Sequence, residues 1–526
     1  MERHLSPLSG FLAQALARNP DGIATVDGAA WRTWAETAER IARLAGGLAR
    51  LGVRDSERVA VLAANGAPLF ELYFAVPRCG GVLVPLNYRL PEPDLVRIVA
   101  DAAPRLLLAE PALWELARRL STALPGLGEP LMLGTAEPES AFQSTEALIR
   151  ESGPWPDAGA QDSTPAAIFY TGGTTGNPKG VVLSHGNMTA VGRFSAARLR
   201  AEWQVFLHAA AMYHTAAVTP VYGVTALAGT HVFLPRFVPG RALELIAAHR
   251  VTSTILAPTM IAMLLESPAA GGMDLGSLRM IRYGTSPISP SLLHRAQAWL
   301  PHCAFGNGYG LTEASSILAR QDAADGSLAP DSPRLFSAGR PIPDVEVRIV
   351  DEHDRPLAAG AVGEIVARGA SIMQGYWRRP EATREALRGG WLHTGDLGYL
   401  DDGGFLFVLD RKDDVIRSGG ENVYSTEVEA ALSEHPAVQS CAVIGVPDER
   451  WGERVHAIVV PKPGATLTRR SLLRFCRQRL AGFKCPRSIA FRPAPLPMTG
   501  AGKVLKHVLR AETIAAGSEP GPPESR

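Results

Sequence analysis

The sequence predicts an α/β protein: a large N-terminal domain of layered α/β subdomains plus a small β-barrel, followed by a small α+β C-terminal domain. Three observations carry that expectation. At 526 residues the chain exceeds what one hydrophobic core usually serves, so two or more domains are expected. Short apolar runs of strand length alternate with amphipathic helical stretches over most of the chain, as in layered α/β folds. Beyond the charge-rich Asp410-Arg411-Lys412-Asp413-Asp414, the pattern changes to a compact mixture of helices and strands.

Taken in order, Thr33-Trp34-Ala35-Glu36 has capping-box spacing, and Trp34, Ile41, Leu44, Leu48 and Leu51 recur at helical intervals after it. Strand-like runs follow at 58–63, 82–85 and 105–109, with helix-like segments at 70–78 and 93–100 between them. Residues 125–162 are rich in Pro, Gly, Ser and Glu with weak periodicity, so loop-rich surface is expected there. Alternation resumes with strands at 231–234, 253–256 and 278–283 and helices at 241–249 and 291–300. Most of these strands end near Gly, Pro or Thr clusters, and open α/β sheets bind ligands at such carboxyl ends. From 345 to 368, short alternating runs broken by Asp351-Glu352-His353-Asp354 and by Gly360 and Gly363 predict a small barrel or sheet. The last part predicts helices near 426–433 and 470–480, strands near 442–446 and 455–460, and a final helix after Lys503. Residues 517–526, rich in Pro, Gly and Glu, are expected to be disordered.

Composition excludes several classes. A content of 46% hydrophobic and 20% charged residues is that of an ordinary globular protein, and a net charge of +1 gives no reason to expect nucleic acid or an anionic membrane as partner. Five scattered cysteines, Cys79, Cys303, Cys441, Cys476 and Cys485, lack metal-ligand spacing and fit reduced thiols in a cytoplasm. No secretory pattern opens the chain, no run is suited to span a bilayer, and Glu524-Ser525-Arg526 is not a peroxisomal address. A cytoplasmic enzyme is the expectation.

The chemistry is densest at Tyr170-Thr171-Gly172-Gly173-Thr174-Thr175-Gly176-Asn177-Pro178-Lys179-Gly180. Apolar runs lead in and out, so the loop is expected to join two adjacent strands. Its glycine N–H groups and threonine hydroxyls suit a polyphosphate, with Lys179 adding positive charge, and that points to ATP. It is not a Walker A loop, which needs Ser or Thr directly after the lysine and then a helix; Gly180 follows here. Further along stand Gly308-Tyr309-Gly310-Leu311-Thr312-Glu313, Tyr283-Gly284-Thr285-Ser286-Pro287, Trp391-Leu392-His393-Thr394-Gly395-Asp396, Asp410-Arg411, Ser418-Gly419-Gly420-Glu421-Asn422 and Pro497-Met498-Thr499-Gly500-Ala501-Gly502-Lys503.

These motifs, in this order along roughly residues 30–510, resemble the adenylate-forming superfamily of acyl-CoA synthetases, peptide-synthetase adenylation domains and beetle luciferase. Gly173 stands where its members commonly have Ser, which removes one hydroxyl contact and leaves the backbone cradle. The resemblance implies that Thr171, Gly172, Gly173, Thr174, Thr175, Gly176 and Lys179 hold the ATP phosphates, and that Gly284, Thr285 and Ser286 pass close to adenine. It implies that Tyr309 stacks on the base beside Gly310, that Thr312 binds the α-phosphate, and that Glu313 holds Mg²⁺. A carboxylate beside a polyphosphate is reasonable only with a bridging cation, because two anions otherwise repel. Asp396 and Arg411 are expected on the ribose, Lys503 on the acyl carboxylate and α-phosphate, and His214 at a gate beside the acyl pocket. Asp413 falls at the pivot between a large AMP-binding domain, 1–411, and a small mobile C-terminal domain, 412–526. Gly419 and Gly420 would then line the tunnel for a pantetheine arm.

The implied reaction is ATP-dependent activation of a fatty or aryl carboxylic acid to an acyl-adenylate, then thioester formation with CoA, with release of AMP and pyrophosphate. An alternative is a stand-alone adenylation enzyme that loads the phosphopantetheine of an acyl carrier protein; the absence of a fused carrier domain after Lys503 favours free CoA. A non-catalytic nucleotide-binding protein is disfavoured by the joint presence of Glu313, Asp396, Arg411 and Lys503. Val218, Tyr222, Gly223, Thr285, Gly308 and Ser315 are candidate acyl-pocket residues. His208, His231, His249 and His393 have no metal-site spacing and receive no role.

Overall fold

A computed structural model describes residues 5–134, 143–171, 178–199, 204–284, 286, 288–322, 326–329, 331–498 and 504–516. The expected capping box forms: Glu36 N donates to Thr33 Oγ1 at 3.2 Å, and Thr33 N donates to the Glu36 carboxylate at 2.8 Å. It starts the helix Trp34–Arg50, whose Trp34, Ile41, Leu44 and Leu48 are fully buried on one face.

A seven-stranded sheet runs in the order Gly375–Tyr376, Lys179–Ser184, Pro165–Thr171, Val82–Pro85, Arg58–Leu62, Leu106–Ala109, Leu131–Met132. Its middle strands are parallel and read as near-continuous apolar runs because helices cover both faces. A nine-stranded sheet has a parallel centre made of Thr230–Phe233, Val205–His208, Ser253–Leu256, Met280–Tyr283 and Ala304–Tyr309. Between the sheets, Phe70, Tyr73 and Phe74 of helix Ala67–Arg78 pack against Tyr222, His231 and Phe233. His208 and His231 stack here with Nε2 and Nδ1 2.9 Å apart, and burial pushes His208 down to about 3, so they are core residues.

The segment 345–411 is an antiparallel sheet in the order Val345–Val350, Gly363–Gly369, Leu392–Leu400, Leu406–Arg411. Among the described residues its outer strands do not pair with each other. It is stitched to the nine-stranded side by Ala338 N to Leu406 O at 2.7 Å and Leu406 N to Gly339 O at 2.8 Å. After Arg411 a three-residue turn leads to the last sheet, built from Ile416–Ser418, Glu421–Val423, Val438–Asp448, Gly452–Pro461 and Ser488–Phe491. The helices Ser425–Ser433, Arg469–Arg477 and Lys506–Ala515 complete a small α+β unit with its own core.

The loop-rich stretch 125–162 also carries the helix Thr145–Glu151, capped by Ser144 Oγ, which accepts from Ala147 N at 3.1 Å. It packs on Trp34–Arg50 through Leu148 and Ile149, too few apolar positions for a visible period. Residues 517–526 lie outside the described residues.

Candidate active site

The phosphate side begins at a strand register. Pro165–Thr171 and Lys179–Ser184 are antiparallel with Thr171 opposite Lys179, so the glycine-rich loop does join adjacent strands. Its Gly172, Gly173, Thr174, Thr175 and Gly176 lie outside the described residues. Thr171 Oγ1 donates to Lys179 O at 3.4 Å. The Lys179 ammonium lies over the Tyr376 ring, 5.1 Å from its centroid, and the Tyr376 hydroxyl donates to Glu313 Oε1 at 2.9 Å. Cation, ring and carboxylate thus form one connected line.

Thr312 and Glu313 sit in the single 3-10 turn Thr312–Ala314, fixed by Met373 N donating to Glu313 O at 2.8 Å. Directly after it, Ser315 and Ser316 have φ of +51° and +93°, a left-handed conformation that is costly for residues with a side chain. Ser315 Oγ donates to Ser371 O at 2.7 Å, and Ser316 Oγ meets Thr219 Oγ1 at 2.7 Å, which hold the turn in place. Among the described residues no group of three or more His, Cys, Asp or Glu could hold a metal ion. Glu313 offers one carboxylate whose Oε2 has no donor among the described residues, which suits a cation that takes its remaining ligands from phosphate and water.

For the two residues expected on the ribose, the register of two strands makes the pair: Asp396 of Leu392–Leu400 lies opposite Arg411 of Leu406–Arg411. Asp396 Oδ1 forms an ion pair with Arg411 Nε at 2.7 Å, and Oδ2 accepts from the Tyr309 hydroxyl at 2.7 Å. Asp396 is 7% exposed. Burial alone would lower Arg411, but the Asp396 carboxylate, with Tyr309 and Glu313, raises it, so the guanidinium stays charged. Burial, then Asp396, holds the Tyr309 phenol well above its usual range, so it stays a donor. Each carboxylate oxygen keeps a lone pair for a further donor.

Thr171, Lys179, His214, Gly284, Gly310, Thr312, Glu313, Tyr376 and Arg411 all border one cleft of about 1870 Å³. Gly284 ends the strand Met280–Tyr283, and a Cβ there would lie 2.7 Å from Gly308 O, so only glycine lets the two strand ends approach. Ser286 follows, half-buried, and Thr285 lies outside the described residues. His214 precedes helix Thr215–Ala226 with Nε2 buried and unpartnered. Burial, assisted by Arg89, pushes its pKa down to about 4, so the ring at the cleft wall is neutral at pH 7. Of the proposed pocket residues only Gly308 among the described ones borders the cleft. Val218, Tyr222 and Ser315 instead face a void of about 10 Å³ in the core, and a Cβ on Gly223 would strike Ser195. The cleft takes Thr219, Pro220, Ser316 and Ile317 in their place. One residue turns a helical side chain by about 100°, which a sequence without a known facing direction does not resolve.

In the C-terminal unit Gly419 and Gly420 form a two-residue hairpin between Ile416–Ser418 and Glu421–Val423, with φ of +64° and +87°. Gly419 N donates to Trp451 O at 2.8 Å, and a Cβ there would lie 2.7 Å from the Trp451 ring. They are not among the walls of the cleft in this conformation. Asp413 is exposed in the turn between the last two sheets, and its N–H makes no backbone bond among the described residues. Lys503 lies outside the described residues, between Met498 and Val504, which pair with each other. Tyr376 was missed by sequence reasoning: its strand is two residues long, and only an aromatic after Gly375 marks it.

A family model described as AMP-binding enzyme matches residues 12–377, and one described as AMP-binding enzyme C-terminal domain matches 427–503. The chain belongs to the adenylate-forming superfamily. Relatives named as CoA ligases and a carrier-protein ligase support the chemistry of an AMP-forming acid–thiol ligase: ATP-dependent activation of a carboxylic acid and thioester formation. The adenylate-forming chain is similar to a feruloyl-CoA synthase from Amycolatopsis sp, 38% identical over 94% of this chain and 96% of that one. It is also similar to the fatty acid–[acyl-carrier-protein] ligase ScoC of Streptomyces coeruleorubidus, 35% identical over 89% of each. Among solved structures, ATP-bound MatB from Rhodopseudomonas palustris superimposes with a TM-score of 0.86, 30% identity and coverage of 96% of this chain and 98% of that one. No described helix is long and apolar enough to cross a membrane.

Proposed function

We propose that the enzyme adenylates an aryl or fatty carboxylic acid and transfers it to free CoA in the cytoplasm, with residue roles as follows. The observation that carries this reading is that Lys179, Tyr376 and Glu313, connected in one line, border the same cleft as Arg411, which ties Asp396 and, through it, Tyr309 to the cleft wall. In the first half-reaction a carboxylate oxygen attacks the α-phosphorus of ATP, and pyrophosphate leaves. Lys179, the Thr171 hydroxyl and the loop 172–176 hold the β- and γ-phosphates, Thr312 holds the α-phosphate, and Asp396 with Arg411 holds the ribose. Tyr309 flanks the base. Mg²⁺, held by Glu313, neutralises phosphate charge when bound. Tyr376 orients that carboxylate by its hydrogen bond and positions Lys179 by its ring face. Lys503 lowers the repulsion between the two anions as they meet, because its ammonium stays protonated near neutral pH. Neutral His214 closes the acyl side without adding charge.

In the second half-reaction the lobe 412–526 turns about Asp413, withdraws Lys503, and carries the Gly419-Gly420 hairpin to the cleft, where a thiolate displaces AMP. An exposed turn residue between two sheets suits the pivot because its dihedral change disturbs no core. The likeness to a feruloyl-CoA synthase favours CoA as acceptor, and the likeness to ScoC keeps a carrier protein as the second reading. Five free cysteines, four of them buried, support a reducing compartment.

AMP release with short, medium, long and aromatic acids, each with CoA and with a pantetheinylated carrier protein, tests both readings. Turnover with CoA and an aryl or fatty acid is expected; turnover only with the carrier protein would reverse the choice of acceptor. Lys503→Ala should abolish pyrophosphate exchange, and unchanged exchange would remove that lysine from adenylation.

A further inference from the structure

One side of the cleft holds more positive charge than the reaction uses. Arg282 lies opposite Gly306 in the parallel pair of Met280–Tyr283 and Ala304–Tyr309, and Arg320 lies opposite Gly308 in the antiparallel pair of Ala304–Tyr309 and Ala319–Arg320. Residues two apart on a strand and those directly opposite share a face, so Arg282, Gly306, Gly308 and Arg320 occupy the same face as Gly284. The glycines leave that floor bare, and the Arg282 guanidinium crosses it: a Cβ on Gly306 would lie 2.7 Å from Arg282 Nη1. From Gly306 to Gly310, where the phosphate-binding turn begins, is four residues, or about 13 Å of extended strand.

The guanidinium groups here are poorly matched by anions. Arg198 pairs with Asp322, the one carboxylate of the cluster among the described residues. Arg282 donates from Nη1 to Gln321 O at 2.9 Å. Arg320 donates to no described residue and rests over the Phe194 ring, 4.8 Å from its centroid. All of them border the cleft. Burial pushes Arg282 down to about 10, and burial with Arg282 nearby pushes Arg320 down to about 8, with Asp322 opposing both shifts. Both side chains are half-buried in the cleft wall, where water screens them less than on the open surface, so an anion arriving there is favoured. A carboxylate fits a guanidinium by two parallel hydrogen bonds, and among the described residues nothing accepts from Arg320.

We propose that the acid activated by this enzyme carries a second carboxylate, distant from the one that is adenylated, and that Arg320 together with Arg282 receives it. This rests on the acid-activating reading above and narrows its substrate to diacids, aliphatic or aromatic.

The test is pyrophosphate exchange without CoA, so that no CoA phosphate contributes. Acids are compared in matched sets: a monoacid, the α,ω-diacid of equal length, and the ω-hydroxy acid, together with an aryl acid and its counterparts bearing a para carboxylate or para hydroxyl. The wild-type enzyme is expected to prefer at least one diacid over its matched monoacid and hydroxy acid by tenfold or more in kcat/KM. Arg320→Met should collapse that ratio at least tenfold, and Arg320→Lys should restore part of it. Exchange with monoacids or hydroxy acids that equals or exceeds the matched diacids in wild type overturns the proposal while leaving acid activation standing. A ratio unmoved by Arg320→Met overturns the assignment of the site. No exchange with any acid would instead refute the reading of the protein as an acid-activating enzyme.

Discussion

Replacing Asp396 by Asn probes the nucleoside side with little change of shape. The carboxylate accepts a hydrogen bond of 2.7 Å from the Tyr309 hydroxyl, forms an ion pair of 2.7 Å with the Arg411 guanidinium, and is 7% exposed. An amide oxygen can keep one of them, but the amide N–H₂ then faces a second donor. A hydrogen bond to a charged group is worth about 1.5–3 kcal/mol. Losing one, and leaving Arg411 without its carboxylate, places the change near 2 kcal/mol, about a thirtyfold rise in KM for ATP. The assay is pyrophosphate exchange against ATP concentration at saturating acid, with the acid KM measured in parallel. The rise should fall on ATP. Tyr309→Phe, which leaves the Asp396–Arg411 pair in place, should shift KM for ATP less. An ATP KM within twofold of wild type for Asp396→Asn would refute the argument that this carboxylate serves the ribose.

Three other outcomes follow from the geometry. Tyr376→Phe removes the hydrogen bond to Glu313 while keeping the ring under Lys179, so the Mg²⁺ concentration for half-maximal exchange should rise about tenfold; an unchanged Mg²⁺ titration would free Glu313 of that role. Gly419→Ala forces a side chain into φ of +64° against the Trp451 ring, at a cost of about 1–2 kcal/mol, and should slow thioester formation more than pyrophosphate exchange; equal effects on both would sink the tunnel assignment. Burial holds His185 and His214 down to about 4 and His208 down to about 3, against about 6.5 when unfolded. The unfolded chain then binds more protons from about pH 6.5 down to about 4 for His185 and His214 and to about 3 for His208, so their contribution to stability falls through that window as pH drops and levels off below about 3. Urea midpoints at pH 7, 6 and 5 should descend in step, and a flat series would contradict neutral buried rings.

The parts of the site that sequence made legible are those carried by local pattern. Apolar runs around a glycine-rich loop announced the strands that set Thr171 opposite Lys179. Asp396 and Arg411 could each be named, but their pairing comes from the register of two strands and has no signature in either segment. Tyr376 was invisible because a two-residue strand has no period, although it connects Lys179 to Glu313. Val218 and Tyr222 were chosen where Thr219 and Pro220 face the cleft, since helical phase is set by what the helix Thr215–Ala226 packs on. Arg282 and Arg320 sit in ordinary strands, and only three-dimensional register shows that they share a floor.

Asp410 and Arg411 are neighbours that look in opposite directions. Arg411 reaches Asp396, while Asp410 accepts from Ser425 N at 2.5 Å and Ser425 Oγ at 2.6 Å; Lys506 donates to that same Ser425 hydroxyl and pairs with Glu429 at 2.8 Å. Asp410 stands before the turn at 412–414, and Ser425, Glu429 and Lys506 stand after it. The swivel proposed at that turn would have to unfasten this polar catch, and the strength of the catch would then set how readily the enzyme changes gear between its two chemical steps.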